Sequence, residues 1–296
     1  MEKDSVITKM PESQASLKEH QQALTVLLKE FDRVCKVLDI PYMLFAGTML
    51  GAVRHQGFIP WDDDLDVLMM RKDYERFLEQ ADSVVDKEKF FLQKEFSDHW
   101  PMFFSKLRLN HTTCLEKFHP RDPEIHQGVY MDIFPCDNAA KTEWGRKIQF
   151  YASKVVIAKS LRKRGYETNN SVKKLFMNMC TLLPLSWFLK ITKSGTDDSA
   201  YVHSFLGGAA VYEKNVYPRK YLERKVYIKF ENNDYPVPDG YDTLLKIIYG
   251  DYMRIPPPEE RAVKKHTVLV DLNHSYVLYL EHHKTMNFDI HTKSIR

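Results

Sequence analysis

The sequence has no paired cysteines. Its four, Cys35, Cys114, Cys136 and Cys180, are widely spaced and form no CxxC pair. A disulfide framework is therefore excluded, and free thiols in a reducing compartment are expected. Long apolar runs are missing too. None reaches the roughly 18 uninterrupted residues of a membrane-crossing helix. Met1 to Ser16 is polar and mixed in charge, without the apolar stretch of a signal peptide. The expected location is cytoplasmic. A large charge excess is also absent: 43 basic residues face 40 acidic ones, for a net charge of +3. That balance gives no global signal for a nucleic-acid partner, so none is expected. There is no internal repeat and no low-complexity tract.

What remains is an ordinary globular composition, 44% hydrophobic and 28% charged, at a length that supports a sizeable core. Leu17, Leu24, Leu27, Leu28, Phe31, Val34, Cys35 and Leu38 recur at helical spacing, with charges on the other face. A short strand is expected at Tyr42–Ala46, and helices at Met49–His55 and Tyr74–Val85. Phe90–Phe96, Met102–Leu109 and Gly128–Phe134 read as strands, the last closed by Pro135. His111–Gln127 reads as a loop. Strands alternating with helices predict a mixed sheet covered by helices. Beyond Asn138 come a basic helix over Trp144–Leu161 and another from Ser171 to about Leu189 with Pro184 inside it. A strand at Val226–Phe230 and a helix at Tyr241–Tyr249 follow, and the polar tail after Glu281 reads as loose.

The segment Trp61-Asp62-Asp63-Asp64-Leu65-Asp66 is the centre of the functional reading. On an extended chain Asp62, Asp64 and Asp66 share one face, with Leu65, Val67 and Asp63 on the other. Three carboxylates facing one way repel unless a cation lies between them, and oxygen-rich sets suit Mg2+ or Mn2+. Ile59-Pro60-Trp61 before the cluster and Val67-Leu68-Met69-Met70 after it make burial without a metal expensive. The alternative is a solvated acidic turn or a helix cap. Upstream, Gly47-Thr48 between a strand and a helix offers backbone N–H groups to a phosphate. A third carboxylate on another strand is best sought in Asp132, the one charge within Gly128–Phe134, which could also be an edge charge or a partner for a buried Lys. Asp137, beyond Pro135, reads as a turn residue.

Leu44-Phe45-Ala46-Gly47-Thr48-Met49-Leu50-Gly51-Ala52-Val53-Arg54, joined to Gly57-Phe58-Ile59-Pro60-Trp61-Asp62-Asp63-Asp64-Leu65-Asp66-Val67, resembles the LicD/fukutin-related phosphotransferases. Met131-Asp132-Ile133-Phe134-Pro135 is similar to that family's downstream acidic motif. Tyr249-Gly250-Asp251-Tyr252-Met253 is similar to its C-terminal signature. The resemblance spans about Leu17 to His266. It implies an α+β (mixed α/β) nucleotidyltransferase fold of the DNA polymerase β type, with an additional C-terminal helical region. Residues 1–140 would form the catalytic core, 141–200 a basic and apolar helical insertion, and 201–296 the part completing the core and substrate site. The implied reaction moves a phosphorylated alcohol, foremost phosphocholine from CDP-choline, onto a hydroxyl of a cell-surface glycan or teichoic-acid-type precursor and releases CMP.

In the family's manner Asp64 and Asp66 would hold the divalent ions with Asp62 assisting, and Asp132 would complete the acceptor side or take the hydroxyl proton. Gly47, Thr48 and Arg54 would meet the donor phosphates. Lys106 and Arg108 would serve the same end, or be surface charges or carboxylate partners. An NTP-using nucleotidyltransferase that releases pyrophosphate and a non-catalytic glycan- or nucleotide-binding protein are the rival readings. Eukaryotic relatives carry a cysteine-rich zinc site; His111, Cys114, His119 and His126 read here as loop residues. Finally, the lysines and arginines of 154–174 precede an apolar, Trp-containing stretch that ends at Leu189. This suits a helical subdomain packed over the sheet, as amphipathic helices usually pack internally, with peripheral contact through 154–189 with the inner face of an anionic membrane as the alternative.

Overall fold

The computed structural model describes residues 14–97, 99–116, 124–207, 210–261 and 267–279. Helix α1 (Leu17–Val37) opens on a capping box, in which Ser16 Oγ accepts from Glu19 N while the Glu19 carboxylate accepts from Ser16 N. Leu24, Leu27, Leu28, Phe31 and Val34 are fully buried beneath it, each worth roughly 1.5–3 kcal/mol of apolar transfer. There follow β1 (Met43–Leu44), α2 (Ala46–His55), β2 (Asp66–Met70), α3 (Arg71–Gln80), β3 (Phe90–Gln93), β4 (Ser105–Leu109), β5 (Thr113–Glu116) and β6 (Tyr130–Asn138). The main sheet runs β1-β2-β6-β4-β3. β2 and β6 are parallel, and the other neighbours in that path are antiparallel. The mixed α/β class expected from the alternation is what forms.

Several boundaries differ from expectation, α3 ending at Gln80 and β4 beginning at Ser105 among them, and two differences matter for the site. β6 does not close at Pro135 but continues to Asn138, where it pairs with β7 (Tyr201–His203). Asp132 N donates to Leu65 O across to β2, so by alternation the nitrogen of residue 135 points to the opposite side. There β4 has ended and β7 has not begun, so no ladder bond is lost to proline. Asp137 is consequently a buried strand residue, not a turn: Arg71 donates to both its oxygens, at 2.7 and 2.9 Å. The segment expected as loop contains β5, which pairs with β11 (Thr267–Asp271). His119 and the tail after Glu281 lie outside the described residues.

The basic helix is α4 (Glu143–Arg164), capped by Thr142 and ended by Gly165 in the left-handed region. Pro184 splits the next helix into α5 (Ser171–Thr181) and α6 (Leu185–Thr192), bent by 100°. Of this stretch Met177 and Cys180 are buried and Leu185, Phe188 and Leu189 half-buried, whereas Val172, Leu175, Phe176, Met179, Leu182 and Trp187 are exposed. Strand β8 (Val216–Pro218) extends the main sheet through β7. The hairpin β9 (Lys225–Phe230) and β10 (Asn233–Pro238), α7 (Tyr241–Tyr249) and the short α8 (Pro258–Arg261) bring the chain back over α2. Among the described residues no single helix is long and apolar enough to cross a membrane.

Candidate active site

The acidic segment is extended but only its last carboxylate is on a strand: β2 begins at Asp66, and Asp62 sits in a turn closed by its N–H donating to Ile59 O at 2.9 Å. The expected alternation nonetheless holds. Asp62, Asp64 and Asp66 line one cleft of about 500 Å³. Asp63 turns away and is buried, its Oδ2 accepting from Thr267 N at 2.9 Å and Thr267 Oγ1 at 2.7 Å. The loop is held from α1, where Gln21 Nε2 donates to Asp62 O at 2.9 Å.

The other wall is the start of α2. Its N-cap, Phe45, provides no side-chain acceptor, and Ala46 adopts φ 43°, an uncommon backbone for a residue with a Cβ. Gly47 lies so near the acidic loop that a Cβ there would stand 2.9 Å from Asp62 Oδ2 and push that carboxylate aside. Gly51 is required by the same helix, since a Cβ would fall 2.5 Å from Gly57 O. The first turn of α2 thus faces the carboxylates and contributes partial positive charge to the cleft. Thr48 is buried and does not line it; its Oγ1 accepts from Asp66 N at 2.8 Å and fixes the start of β2. Arg54 does line it. Its guanidinium donates to Tyr252 O at 2.6 Å and Arg254 O at 3.3 Å, which ties α2 to the loop after α7.

Asp66 and Asp132 are direct register partners across the parallel β2–β6 pair. Burial pushes the Asp66 carboxyl well above the ordinary range, and the charges of Asp64, Asp132 and Asp62 add to the effect, against Lys106. Asp132 is raised as well, first by burial, with Lys106 opposing. The Lys106 ammonium stands 2.9 Å from Asp132 Oδ1 and 3.5 Å from Glu116 Oε1. It is buried over the Tyr130 ring. Arg108 is buried deeper in the same layer, donating to Gln93 Oε1 at 2.7 Å and Gly128 O at 2.8 Å. Lys106 and Arg108 therefore do not line the cleft. Of the roles open to Lys106, its position is that of a carboxylate partner, and Arg108 supports the layer behind it.

The loop after α7 supplies groups to which no role was assigned from sequence. Tyr249, Asp251, Tyr252, Arg254 and Glu260 line the cleft together with Trp61. The Tyr249 hydroxyl is raised by burial and by the charges of Asp66, Asp62 and Asp64. The Arg261 guanidinium covers the Trp61 ring at 4.5 Å. The run Tyr249-Gly250-Asp251-Tyr252 was the available signal. Its proximity to the acidic loop depends on a fold that joins residues some 200 apart in sequence.

Residues 39–163, which contain α2, the acidic loop and Asp132, match the family model described as LicD/FKTN/FKRP, nucleotidyltransferase domain. That stretch is similar to the LicD domain. It is 28% identical over 261 residues to the lipopolysaccharide cholinephosphotransferase LicD of Haemophilus influenzae, an alignment covering 83% of this chain and 94% of that LicD protein. A 51-residue stretch is 47% identical to the protein RP689 of Rickettsia prowazekii, covering 17% of this chain and 19% of the Rickettsia protein. The matched stretch contains Asp62, Asp64, Asp66, Asp132, Gly47 and Arg54, and the similarity to the Haemophilus LicD protein extends over most of the chain.

Proposed function

We propose that this chain is a LicD-type transferase that moves a phosphorylated alcohol, foremost phosphocholine, from a CDP-activated donor to a hydroxyl of a cell-surface glycan. The observation that carries the reading is the convergence of Asp62, Asp64 and Asp66 on one cleft, against the first turn of α2 and beside Asp132. The Haemophilus relative, whose name describes cholinephosphate transfer onto lipopolysaccharide, supports the choice of donor group and acceptor class. A nucleotidyltransferase fold of the polymerase β type is part of the same proposal.

The donor set fits a divalent ion. Hard carboxylate oxygens on a buried, mutually repelling cluster are stabilised by Mg2+ or Mn2+. Among the described residues no three His, Cys, Asp or Glu side chains are gathered as a ready-made metal site, so an ion here would need ligands from donor phosphate and water as well. Asp64 and Asp66, assisted by Asp62, would hold the ion, which when bound neutralises donor phosphate and polarises the acceptor hydroxyl.

The chain's own groups do the rest. The α2 N-terminus at Gly47 and the Arg54 guanidinium bind the donor phosphates. Asp132, whose pKa is raised by burial, takes the proton of the acceptor hydroxyl. The acceptor oxygen forms a bond to the donor's distal phosphorus. The bond from that phosphorus to the bridging oxygen breaks, and CMP leaves with the electron pair. Trp61 and the loop after α7 wall the cleft and restrict water.

The test is product analysis. Purified chain, Mg2+ and CDP-choline are incubated with delipidated lipopolysaccharide. Release of CMP in step with choline appearing on the glycan is expected. Pyrophosphate release from an NTP, with no CMP from any CDP-alcohol, would overturn the reading in favour of nucleotidyl transfer.

A further inference from the structure

The outward side of α5 and its junction with α6 is apolar, exposed and ringed by cations. Val172, Leu175, Phe176 and Met179 are spaced at i, i+3, i+4 and i+7, so they form one stripe. Leu182 at the bend is 86% exposed and Trp187 on α6 is 70% exposed. Only Met177 and Cys180 on the inner face of α5 pack down, against Ala158 of α4. The bend is fixed: Lys159 Nζ donates to Thr181 O at 2.7 Å and to Leu183 O at 2.6 Å, bracing the junction against α4. A contiguous apolar surface of this kind, kept in water, marks an interaction site.

Charge identifies the occupant. Residues 144–193 contain eleven Lys and Arg and a single acid, Glu167, in a chain whose whole net charge is +3. The region is strongly cationic, and the remainder of the chain is net acidic. Lys163, Lys173, Lys174 and Lys190 are exposed. A second copy of the same face would be repelled. A nucleic acid would satisfy the lysines but leave the Leu, Met, Phe and Trp side chains in water. An anionic bilayer satisfies both. At 11 and 8 residues, α5 and α6 are each far too short to span, and their bend of 100° lays them along a surface.

We propose that α5 and α6 dock the protein on an anionic membrane. Phe176, Met179, Leu182 and Trp187 enter the headgroup boundary, and the surrounding lysines lie against lipid phosphates. This goes beyond the transfer reaction and does not depend on it.

The full chain is co-sedimented with vesicles of phosphatidylcholine alone or mixed with phosphatidylglycerol, at low and raised salt. Pelleting with the anionic vesicles only, weakened by salt, is expected. Lys173→Glu with Lys174→Glu, and separately Phe176→Ser with Trp187→Ser, should each lower the partition coefficient roughly tenfold or more, with unchanged melting because these side chains are exposed. In a second measurement, anionic vesicles should blue-shift the tryptophan emission of the unaltered chain and leave a Trp187→Phe variant nearly unshifted. Absence of binding at low salt, equal binding to neutral vesicles, or no Trp187-dependent shift would overturn the proposal. So would self-association through this face, seen by light scattering and abolished by the Phe176 and Trp187 substitutions without any vesicle binding.

Discussion

Asp132 stands between two groups of charges, one half-buried and one buried, that are organised in opposite ways. On the cleft side, Asp62, Asp64 and Asp66 gather negative charge, and burial and mutual repulsion push the Asp66 carboxyl well up. Further along the same sheet face, on the β4 side, Glu116 is surrounded by Lys106 and Arg164 and accepts from the Tyr130 hydroxyl at 2.8 Å. Burial there would raise Glu116 too, yet Lys106, Arg164 and Arg108 hold it well below the usual carboxylate range. The same physics gives one group in which cations crowd a carboxylate and one in which carboxylates crowd one another. The second is where the proposed cation and donor phosphates would bind.

Removing charge from each side should separate them. The largest effect is expected for Asp64→Ala or Asp66→Asn. Turnover in saturating Mg2+ should fall at least roughly a thousandfold, as loss of metal-held charge stabilisation costs several kcal/mol. The metal-free melting temperature should hold or rise, because a repelling carboxylate is gone. Near-normal turnover would end the assignment. Glu116→Gln should do the reverse. It leaves Lys106, Arg108 and Arg164 buried with too little counter-charge, at a cost of about 3–5 kcal/mol in urea unfolding. A variant as stable as the parent would show that the network around Glu116 is not under electrostatic control.

A third buried ionisable group tests the same rule through pH. His203 is fully buried; its Nε2–H donates to Thr192 O at 3.1 Å, leaving Nδ1 to accept from Phe205 N at 3.4 Å. Both nitrogens are satisfied only when the ring is neutral, and burial lowers its pKa to about 4. Between that value and the ordinary 6.5 the unfolded chain binds a proton that the folded chain does not. Stability from this residue is therefore complete above about pH 6.5 and declines as pH falls toward 4, by about 3 kcal/mol at the acid end. Urea unfolding at stepped pH should show the slope in the parent and a reduced slope in His203→Gln. An unchanged slope would assign the acid sensitivity elsewhere. The smallest effect is expected at the boundary between the two groups. Asp132→Asn should lower transfer roughly a hundredfold while calorimetry finds donor binding little changed. Full activity would move the proton acceptor to another residue.

The acidic loop was legible because its chemistry is local. The alternation of Asp62, Asp64 and Asp66 against Asp63 follows from an extended backbone, and Asp132 stood out as a charge in an apolar strand. Helices with a clear apolar stripe, such as α1 and α7, were legible for the same reason. Less was visible wherever distant segments decide. Lys106 and Arg108 look like solvent-facing charges until Trp100, Tyr130 and Glu116 close over them. Pro135 reads as a stop until the gap between β4 and β7 leaves its nitrogen with no bond to make. The apolar residues after Lys174 fitted burial in a helical subdomain better than a membrane surface, and only the packing of α5 on α4 reveals which side chains remain outside.

The carboxylates near the N-terminus are walled in from the far end of the chain. Asp63 is anchored to Thr267, 204 positions later, and Arg54 to Tyr252, 198 positions later. During synthesis on a ribosome, a product ending before Tyr241 would already contain every aspartate of the cluster and still lack Tyr249, Asp251 and the β11 anchor. A product truncated there is therefore expected to be inactive, with the cleft walled only after the residues up to Thr267 have been made.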